Sequence, residues 1–329
     1  MPKTRASRSP VLVTGAAGMV GSHLIDALLE RGRTVVGVDD LSVGKELNVA
    51  HHLKNPRFTF LKLDILDLEN LFLSVREAAA IVHLAAAKKI GEQGSGFRTL
   101  TVNTKGTENI LKLARALKSK VIFGSTSDVY GMSEDLPFRE DGDLVLGPSM
   151  IKRWSYAVSK LYGEQMVFAF HKEFGVPVVI LRYFGAFSER SSFSWSGGHV
   201  PLFIEAVLND REVIVHGDGK QTRSMGHVSD LVNGTLLALE REKAVGEIIN
   251  IGNDEELSVI DTARLIHRIA KTGRPLKIKY VPFKDVFGKY KDIQRRLPDL
   301  SKARRLLGFK PKVRLREAVE LTLAERRRI

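Results

Sequence analysis

Short runs of aliphatic and β-branched residues alternate with stretches of helical periodicity through the first half of the chain. The runs cover residues 10–14, 34–38, 58–61, 80–84 and 120–124. Runs this short, each followed by a helical pattern, are typical of strands that are joined by crossover helices. The pattern therefore predicts an α/β protein built on a doubly wound parallel sheet.

Two further apolar runs, at 176–182 and 247–251, resemble later strands of the same sheet. The residues between them are richer in glycine, serine and aromatic side chains, so the chain is expected to leave the sheet and return. The predicted domains are a sheet core, residues 8–183 with a returning strand at 244–252, and a smaller mixed α/β capping region, residues 184–243 and 253–329.

A glycine-rich turn separates the first run from an amphipathic segment that reaches about residue 30. Glycines let the backbone approach a pyrophosphate at the positive N-terminus of a helix, and the last glycine lets helix and strand pack closely. The residues predicted to hold the pyrophosphate are Gly15, Gly18, Met19, Val20 and Gly21.

A carboxylate follows the second run, where Asp39 and Asp40 end the predicted strand. A carboxylate at this position can accept hydrogen bonds from a ribose diol. Two acidic residues with no arginine beside them in the sequence would repel a 2′-phosphate. The cofactor is therefore predicted to be NAD rather than NADP.

Charge is distributed unevenly along the chain, whose formal net charge is +13. Residues 264–329 hold 21 Lys or Arg against 6 Asp or Glu, which leaves the first 263 residues at about −2. Such an excess suits a nucleic acid, or one pyrophosphate beside a solvated helical surface. No nucleic-acid-reading motif accompanies the charge, so we expect a small anionic substrate and no nucleic-acid partner.

The chain has no cysteine, which removes disulfides, thiolate catalysis and Cys-ligated zinc. No metal is expected in the chemistry. The apolar run after the basic start is broken by glycines, so it fits neither a signal peptide nor a membrane span. We expect a cytoplasmic protein without a membrane partner.

A tyrosine and a lysine lie one helical turn apart in the segment Tyr156-Ala157-Val158-Ser159-Lys160. An adjacent ammonium and a nicotinamide cation both favour the phenolate form of a tyrosine, so Tyr156 could serve as a base. Hydroxyl-bearing residues 125–127 follow the fifth run, at the sheet edge where ligands of such folds bind. A solvated surface pair remains the alternative interpretation of Tyr156 and Lys160.

Several motifs in the same order resemble the extended short-chain dehydrogenase/reductase family, in its branch of NAD-dependent nucleotide-sugar epimerases, dehydratases and decarboxylases. The resemblance implies a Rossmann-type fold and covers nearly the whole chain. The motifs are the glycine turn, His83-Leu84-Ala85-Ala86, Asn103 with Gly106-Thr107, Ser125 to Gly131, the Tyr156/Lys160 pair, Gln221-Thr222-Arg223, and Arg296 to Asp299.

The resemblance implies that bound NAD removes hydride from C4 of the sugar while Tyr156 takes the hydroxyl proton. Lys160 would bind the nicotinamide ribose and lower the pKa of Tyr156, and Thr126 would hydrogen-bond the C4 oxygen. Further cofactor contacts are implied for Asp64, Ile65, Leu84, Ala85, Ala86, Asn103 and Ser125. Substrate contacts are implied for Ser127, Arg190, Arg223 and Arg296.

A C4 ketone permits epimerisation, decarboxylation or elimination. Dehydratases of the family carry an acid after the threonine, where this chain has Ser127, so elimination is disfavoured. Asp128 is an acid where similar decarboxylases usually carry glutamate. We expect a 4-epimerase acting on a UDP-hexose or UDP-hexuronate, with UDP-glucuronate decarboxylation as the alternative and an NAD-binding sensor as a further one.

One segment departs from the family pattern: Gly185 stands where an asparagine usually contacts the substrate diphosphate, and Ser188-Glu189 replaces the usual turn pair. Arg190 remains, and could meet a phosphate or a hexuronate carboxylate, while residues 191–198 are expected to form a loop over the pocket. The family habit also implies a homodimer joined through the helix of Tyr156 and its neighbour at 104–117.

Overall fold

The structure is a computed structural model that describes residues 9–88, 96–192, 198–287 and 293–326. The strands are β1 Val11–Thr14, β2 Val35–Asp39, β3 Phe58–Lys62, β4 Ala80–His83, β5 Lys120–Thr126, β6 Val178–Tyr183, β7 Gly185–Phe187, β8 Val213–His216, β9 Thr222–His227, β10 Glu247–Ile251, β11 Glu256–Ser258 and β12 Ile278–Val281. The α-helices are α1 Met19–Glu30, α2 Leu68–Ser74, α3 Gly96–Leu117, α4 Trp154–Phe174, α5 His199–Leu208, α6 Val228–Glu240, α7 Val259–Ala270, α8 Phe283–Phe287, α9 Ser301–Leu307 and α10 Leu315–Arg326.

Seven parallel strands form the main sheet in the order β3-β2-β1-β4-β5-β6-β10. Alternate residues of β1 face opposite layers: Val11 and Val13 pack with α1, and Leu12 packs with the layer that holds α3. Both faces of the strand are buried, which is why it reads as a continuous apolar run. The strand order reverses between β1 and β4, and ligands bind at such a point. The predicted doubly wound sheet is confirmed.

The capping region has its own apolar core, formed by α5, α7, α10 and β8 with residues such as Phe203, Ile266 and Val319. A three-stranded sheet, β11-β9-β7, and the pair β12-β8 connect its helices.

Two helices of the predicted capping region pack on the main sheet. Helices α6 and α9 fall in the predicted capping region, yet Leu231, Leu236 and Leu307 pack in the same apolar layer as α1 and the main sheet. Their apolar positions cover a face of β6 and β10 that would otherwise meet water, and this requirement cannot be read from local sequence. Among the described residues, no helix is long and apolar enough to cross a membrane.

Candidate active site

Two adjoining cavities open at the carboxyl ends of the central strands. The smaller cavity, about 130 Å³, is lined by Gly15, Gly18, Asp39, Asp64, Ile65 and residues 84–87. The larger cavity, about 430 Å³, is lined by the glycine turn, residues 124–128, Tyr156, Lys160, Arg223 and Arg296. Gly15, Gly18, Leu84 and Ala86 border both, so one elongated ligand could occupy the two cavities together.

The glycine turn has the geometry that a pyrophosphate requires. Gly15 adopts φ +70°, and a Cβ on Gly21 would lie 2.1 Å from the Gly15 carbonyl oxygen, so both positions exclude other residues. Gly18 precedes α1 without a side-chain cap, and the first turn of the helix holds no acidic residue. The helix N-terminus is therefore suited to an anionic group at this edge of the cavity.

Asp39 is buried at the end of β2 and supports the glycine turn directly. Its carboxylate accepts hydrogen bonds from the backbone N–H of Ala17 at 2.9 Å and of Leu41 at 2.8 Å. Burial raises the pKa of Asp39, and the neighbouring charge of Asp40 adds to that effect against the two hydrogen bonds. Each oxygen keeps a second acceptor position for a ribose hydroxyl.

The tertiary structure brings an arginine near the acidic pair, which the sequence did not indicate. Arg98 of α3 lines the smaller cavity, and its Nη2 lies 3.4 Å from Oδ2 of Asp40. This pairing partly offsets the negative charge at the ribose end.

Asn103 lies behind the cavity wall. Its amide accepts from the N–H of Ala87 at 2.8 Å and donates to the Ala87 carbonyl at 3.1 Å and to Ser159 Oγ at 2.9 Å. Both N–H groups are thus used within the protein, so Asn103 shapes the wall that Leu84, Ala85 and Ala86 form.

The predicted Tyr156/Lys160 pair lies on α4 and faces the larger cavity. Lys160 Nζ donates to the Gly124 carbonyl at 2.7 Å, and the side chains of Tyr156 and Thr126 are hydrogen-bonded. Burial lowers the pKa of Lys160 to about 7, with Glu164 opposing and Lys88 reinforcing the shift. The surface-pair alternative is excluded by this burial.

The expectation that Lys160 lowers the pKa of Tyr156 does not hold for the protein by itself. Burial raises the pKa of Tyr156, the negative charge of Asp128 raises it further, and only the Thr126 hydrogen bond opposes them. Tyr156 is therefore a neutral phenol in this structure, positioned beside a threonine hydroxyl.

A buried ionic network supports the pair from behind. Glu164, one turn after Lys160, accepts from Ser125 Oγ at 2.5 Å and from Arg182 Nε at 3.0 Å and Nη2 at 2.8 Å. Ser125 is thereby tied to the protein, and its hydroxyl is oriented by Glu164. The network joins α4 to β5 and β6 beneath the cavity floor.

Asp128 is surrounded by three cationic side chains. Its carboxylate lies 2.7 Å from Arg296 Nη1, 3.2 Å from Lys88 Nζ and 3.9 Å from Arg153 Nη2. Burial acts to raise the pKa of Asp128, but the three positive charges outweigh it and hold the pKa well below its usual range. Lys88 Nζ also lies 4.9 Å from the centre of the Tyr156 ring, which places this cluster beside Tyr156.

Three of the four predicted substrate residues line the larger cavity: Ser127, Arg223 and Arg296. Arg223 Nη1 donates to the carbonyls of Thr222 at 2.7 Å and Ile293 at 2.8 Å, which fixes its side chain. Arg296 Nη1 lies 3.4 Å from Ser127 Oγ as well as beside Asp128.

Arg190 does not line either cavity, contrary to the expectation. The turn from Ser188 to Ser191 directs it back onto α1, where its Nη1 lies 2.8 Å from Asp26 and its Nε lies 3.5 Å from Glu189. Its sequence position suggested a phosphate or carboxylate contact, but two nearby protein carboxylates hold the guanidinium instead.

Gly185 has a structural explanation. A Cβ there would lie 2.3 Å from the sulfur of Met225, so the methionine occupies the space that a larger residue would need. Met225, Lys88, Arg153 and His199 also line the larger cavity and were not predicted. Lys88 lies two residues after the motif His83-Leu84-Ala85-Ala86, and Arg153 lies three residues before Tyr156. A positive charge so close to a recognised motif was the available signal.

The parallel sheet, the glycine turn and Tyr156 paired with the buried Lys160 define an enzyme of the extended short-chain dehydrogenase/reductase class. The family model described as GDP-mannose 4,6 dehydratase matches residues 12–322, so the chain belongs to that family.

Relatives of known activity cover almost the whole chain. A UDP-N-acetyl-α-D-glucosaminuronate decarboxylase of Bacillus cytotoxicus is 36% identical over 95% of this chain and 96% of its own length. A UDP-glucuronic acid decarboxylase of Xenopus tropicalis is 36% identical over 96% of this chain and 72% of its own length. A crystal structure of UDP-glucuronic acid 4-epimerase from Bacillus cereus, in complex with UDP-glucuronic acid and NAD, is 32% identical, with a TM-score of 0.85, and covers 97% of this chain and 99% of its own.

These comparisons confirm the predicted family and enzyme class. They also confirm the nicotinamide cofactor, because solved relatives that are 32% identical hold NAD. They include both decarboxylases and 4-epimerases, so they support a nucleotide-sugar enzyme without distinguishing the two reactions.

Proposed function

We propose that this protein is an NAD-dependent decarboxylase of a UDP-hexuronate. The observation that carries the proposal is the cluster of Lys88, Arg153 and Arg296 around Asp128 at the reacting end of the larger cavity. Three positive charges against one negative charge leave an excess of two beside Tyr156. Such a site suits a sugar with a carboxylate at C6 better than a neutral hexose.

The two adjoining cavities, taken one after the other, suit NAD followed by the sugar nucleotide. The glycine turn with Met19 and Val20 would hold the pyrophosphate of NAD, Asp39 its ribose, and Asp64, Ile65 and residues 84–86 the adenine side. Arg223 would bind the diphosphate of the substrate and Ser127 its sugar, whereas Arg296, predicted as a second diphosphate contact, belongs to the cluster around Asp128. NAD, when bound, would be the oxidant that accepts a hydride from C4 of the sugar and later returns it.

The residues at the cavity floor would move the hydroxyl proton. Tyr156 takes the proton of the C4 hydroxyl as C4 becomes a ketone, and Thr126 holds the C4 oxygen by its hydroxyl. Lys160 is anchored on the Gly124 carbonyl at 2.7 Å and presents a positive charge below Tyr156 when protonated. Since the pKa of Tyr156 is raised by burial and Asp128, the cationic form of bound NAD is needed to favour the phenolate.

A C4 ketone makes the C6 carboxylate a β-keto acid. The C5–C6 bond then breaks, carbon dioxide leaves, and the electron pair is delocalised onto the C4 oxygen as an enolate. C5 takes up a proton, hydride returns to C4, and Tyr156 gives back its proton. Asp128, whose pKa lies well below its usual range, is present as an anion and holds the three cations around the C6 position.

The sequence alone favoured epimerisation, and two observations shift the preference. The cationic cluster favours a hexuronate, and the decarboxylases named above match this chain at 36% identity over 95% and 96% of its length. Epimerisation at C4 of the same UDP-hexuronate is the second candidate, because the Bacillus cereus 4-epimerase shares the fold with a TM-score of 0.85. Both reactions begin with the same oxidation at C4.

The test is incubation of the purified protein with UDP-glucuronate, and separately with UDP-glucose, with and without added NAD. We expect a product from UDP-glucuronate that is lighter by carbon dioxide, with one solvent deuterium at C5 when the reaction is run in D2O. A product of unchanged mass with inverted C4 would assign epimerisation instead. Conversion of UDP-glucose at a comparable rate would contradict the hexuronate assignment.

The protein is further proposed to be a homodimer through α3 and α4, which lie side by side. Large apolar side chains are exposed at helical spacing on both helices: Phe97 and Leu100 on α3, and Val158 and Tyr162 on α4. We expect Val158→Asp with Tyr162→Glu to give a monomer in sedimentation analysis, whereas Leu321→Glu on α10 should leave the dimer intact. A double variant that stays dimeric would contradict this interface.

A further inference from the structure

A separate group of metal-binding side chains lies on the outer side of α1, away from both cavities. It consists of Asp26 on α1 and of His51 and His52 in the short 3₁₀ helix Ala50–His52. We propose that this group, called here the histidine cluster, binds a late first-row transition ion such as Zn²⁺.

The donor atoms already converge. His51 Nε2 lies 3.0 Å and His52 Nε2 2.8 Å from the same oxygen, Oδ1 of Asp26, and all three ligand atoms lie within 4.8 Å of one another. Zinc binds imidazole nitrogen and carboxylate oxygen at about 2.0–2.2 Å, which separates tetrahedral ligand atoms by roughly 3.3 Å. The cluster therefore needs shifts of less than about 1 Å, and the half-exposed ring of His51 can move.

The other oxygen of Asp26 is fixed from behind. Arg190 Nη1 lies 2.8 Å from Oδ2 of Asp26, and Arg190 Nε lies 3.5 Å from Glu189, which balances the arginine charge. With the imidazoles in their neutral, metal-binding form, the carboxylates of Asp26 and Glu189 and the guanidinium leave a net charge of −1. This arrangement orients the ligand carboxylate as outer partners do in metal sites.

His23 is not counted as a ligand. Its Nε2 lies 3.1 Å from Ser188 Oγ and 3.2 Å from Glu189, while its Nδ1 lies 4.0 Å from Asp26 Oδ2. Two imidazoles and one carboxylate leave a coordination position for water. This nitrogen and oxygen donor set suits Zn²⁺, Ni²⁺ or Cu²⁺ rather than thiophilic ions.

The site would link two segments that frame the cofactor cavity. Helix α1 begins at the glycine turn, and the segment before His51 is held to that turn by Asn48 Nδ2, which donates to the Ala17 carbonyl at 2.8 Å. Ser42, Val43 and Gly44 of the same segment line the smaller cavity. An ion on the histidine cluster would hold this segment against α1, so it should stabilise the folded protein.

The test uses the untagged, full-length protein after removal of metals with EDTA. In calorimetric titration with ZnCl2 we expect about one Zn²⁺ per chain, and binding weakened at least tenfold in His51→Gln and in His52→Gln. Co²⁺ should give visible absorption bands that both variants lose. The matched control is His267→Gln. His267 lies on α7, and its ring is hydrogen-bonded to the Arg274 carbonyl, so this variant should bind Zn²⁺ as the parent does.

Glutamine keeps a polar group at each position, and thermal unfolding in EDTA verifies that the variants fold as the parent does. Added Zn²⁺ should raise the unfolding temperature of the parent and of His267→Gln, but not of His52→Gln. Unchanged Zn²⁺ affinity in both cluster variants, or no saturable binding by the parent, would overturn the proposal.

Discussion

Two aspartates at the same edge of the sheet, Asp39 buried and Asp128 largely so, have opposite electrostatic environments. Asp39, on the cofactor side, is held by two backbone N–H groups beside another acid, and burial raises its pKa. Asp128, on the substrate side, lies among three cations, and its pKa is held well below the usual range. The comparison shows that burial alone does not decide the charge of a carboxylate, because its partners can reverse the effect.

This difference in electrostatic surroundings suits the two sides of the site, that of Asp39 and that of Asp128, to separate roles. On the cofactor side, neutral hydrogen-bond groups and a helix N-terminus create a shape that accepts a dinucleotide. On the substrate side, three cationic side chains surround one anion. Substitutions on the substrate side should therefore change turnover, and those on the cofactor side should change NAD affinity.

The largest effect is expected for Tyr156→Phe. Removal of the hydroxyl eliminates the proposed proton acceptor at C4, and general-base catalysis contributes about 10²–10⁴-fold. Turnover of UDP-glucuronate should fall by about 10³-fold while NAD affinity, measured by fluorescence titration, stays within about twofold. A variant with an unchanged rate would contradict the role of Tyr156.

Asp128→Asn should have the next largest effect. The amide keeps the size of the side chain but leaves Lys88, Arg153 and Arg296 without their anion, so the cluster loses its arrangement around the C6 position. We expect kcat for UDP-glucuronate to fall by about 10- to 100-fold, because misplaced reacting groups cost about that much. Ser133→Ala, which removes a partly exposed hydroxyl in the loop a few residues after β5, is the control. Equal kcat in Asp128→Asn and the parent would show that Asp128 does not organise the site.

Asp39→Asn should mainly weaken NAD binding. Asparagine can accept from only one of the two N–H groups of Ala17 and Leu41 and offers fewer acceptor positions to a ribose. A lost hydrogen bond of this kind corresponds to about 1–1.5 kcal/mol, so Kd for NAD should rise by about tenfold. With saturating NAD, kcat should approach that of the parent. A larger effect on kcat than on Kd would remove the distinction between the two sides.

A pH dependence of stability should arise from His83, which lies between the two sides. The ring is buried, with Nδ1 2.7 Å from Thr14 Oγ1 and Nε2 3.1 Å from Thr107 Oγ1. Burial, with a contribution from the charge of Lys160, lowers the pKa of His83 to about 3. The unfolded chain takes up a proton near pH 6.5 whereas the folded protein does not, so stability is lost as the pH falls from 6.5 towards 3.

The measurement is chemical denaturation of the parent and of His83→Asn at pH 6.5 and 4.5. The parent should lose about 2 kcal/mol more free energy of unfolding over this interval than the variant, because only the parent carries this histidine. The variant is expected to be less stable at both pH values, so the quantity compared is the change in the free energy of unfolding between pH 6.5 and 4.5. An equal change in the parent and in His83→Asn would contradict a neutral His83 in the folded protein.

Much of the site could be predicted because its motifs are local. The glycine turn depends on a positive φ and a close helix contact that only glycine permits, and the Tyr156/Lys160 spacing places both side chains on one face of α4. Arg190 illustrates the limit, since its place just after Ser188-Glu189 suggested a ligand contact, whereas the turn carries it to Asp26.

By itself, the sequence determined the alternation of strands and helices, the glycine turn and the placement of Tyr156 and Lys160 on one helix face, because each depends on residues within one or two turns of one another. Only the tertiary structure decided which cations surround Asp128, since Lys88, Arg153 and Arg296 come from distant segments. It also brought His51 and His52 to Asp26, and placed α6 and α9 on the main sheet. These outcomes depend on how apolar faces pack over long sequence separations, and local periodicity carries no information about that packing.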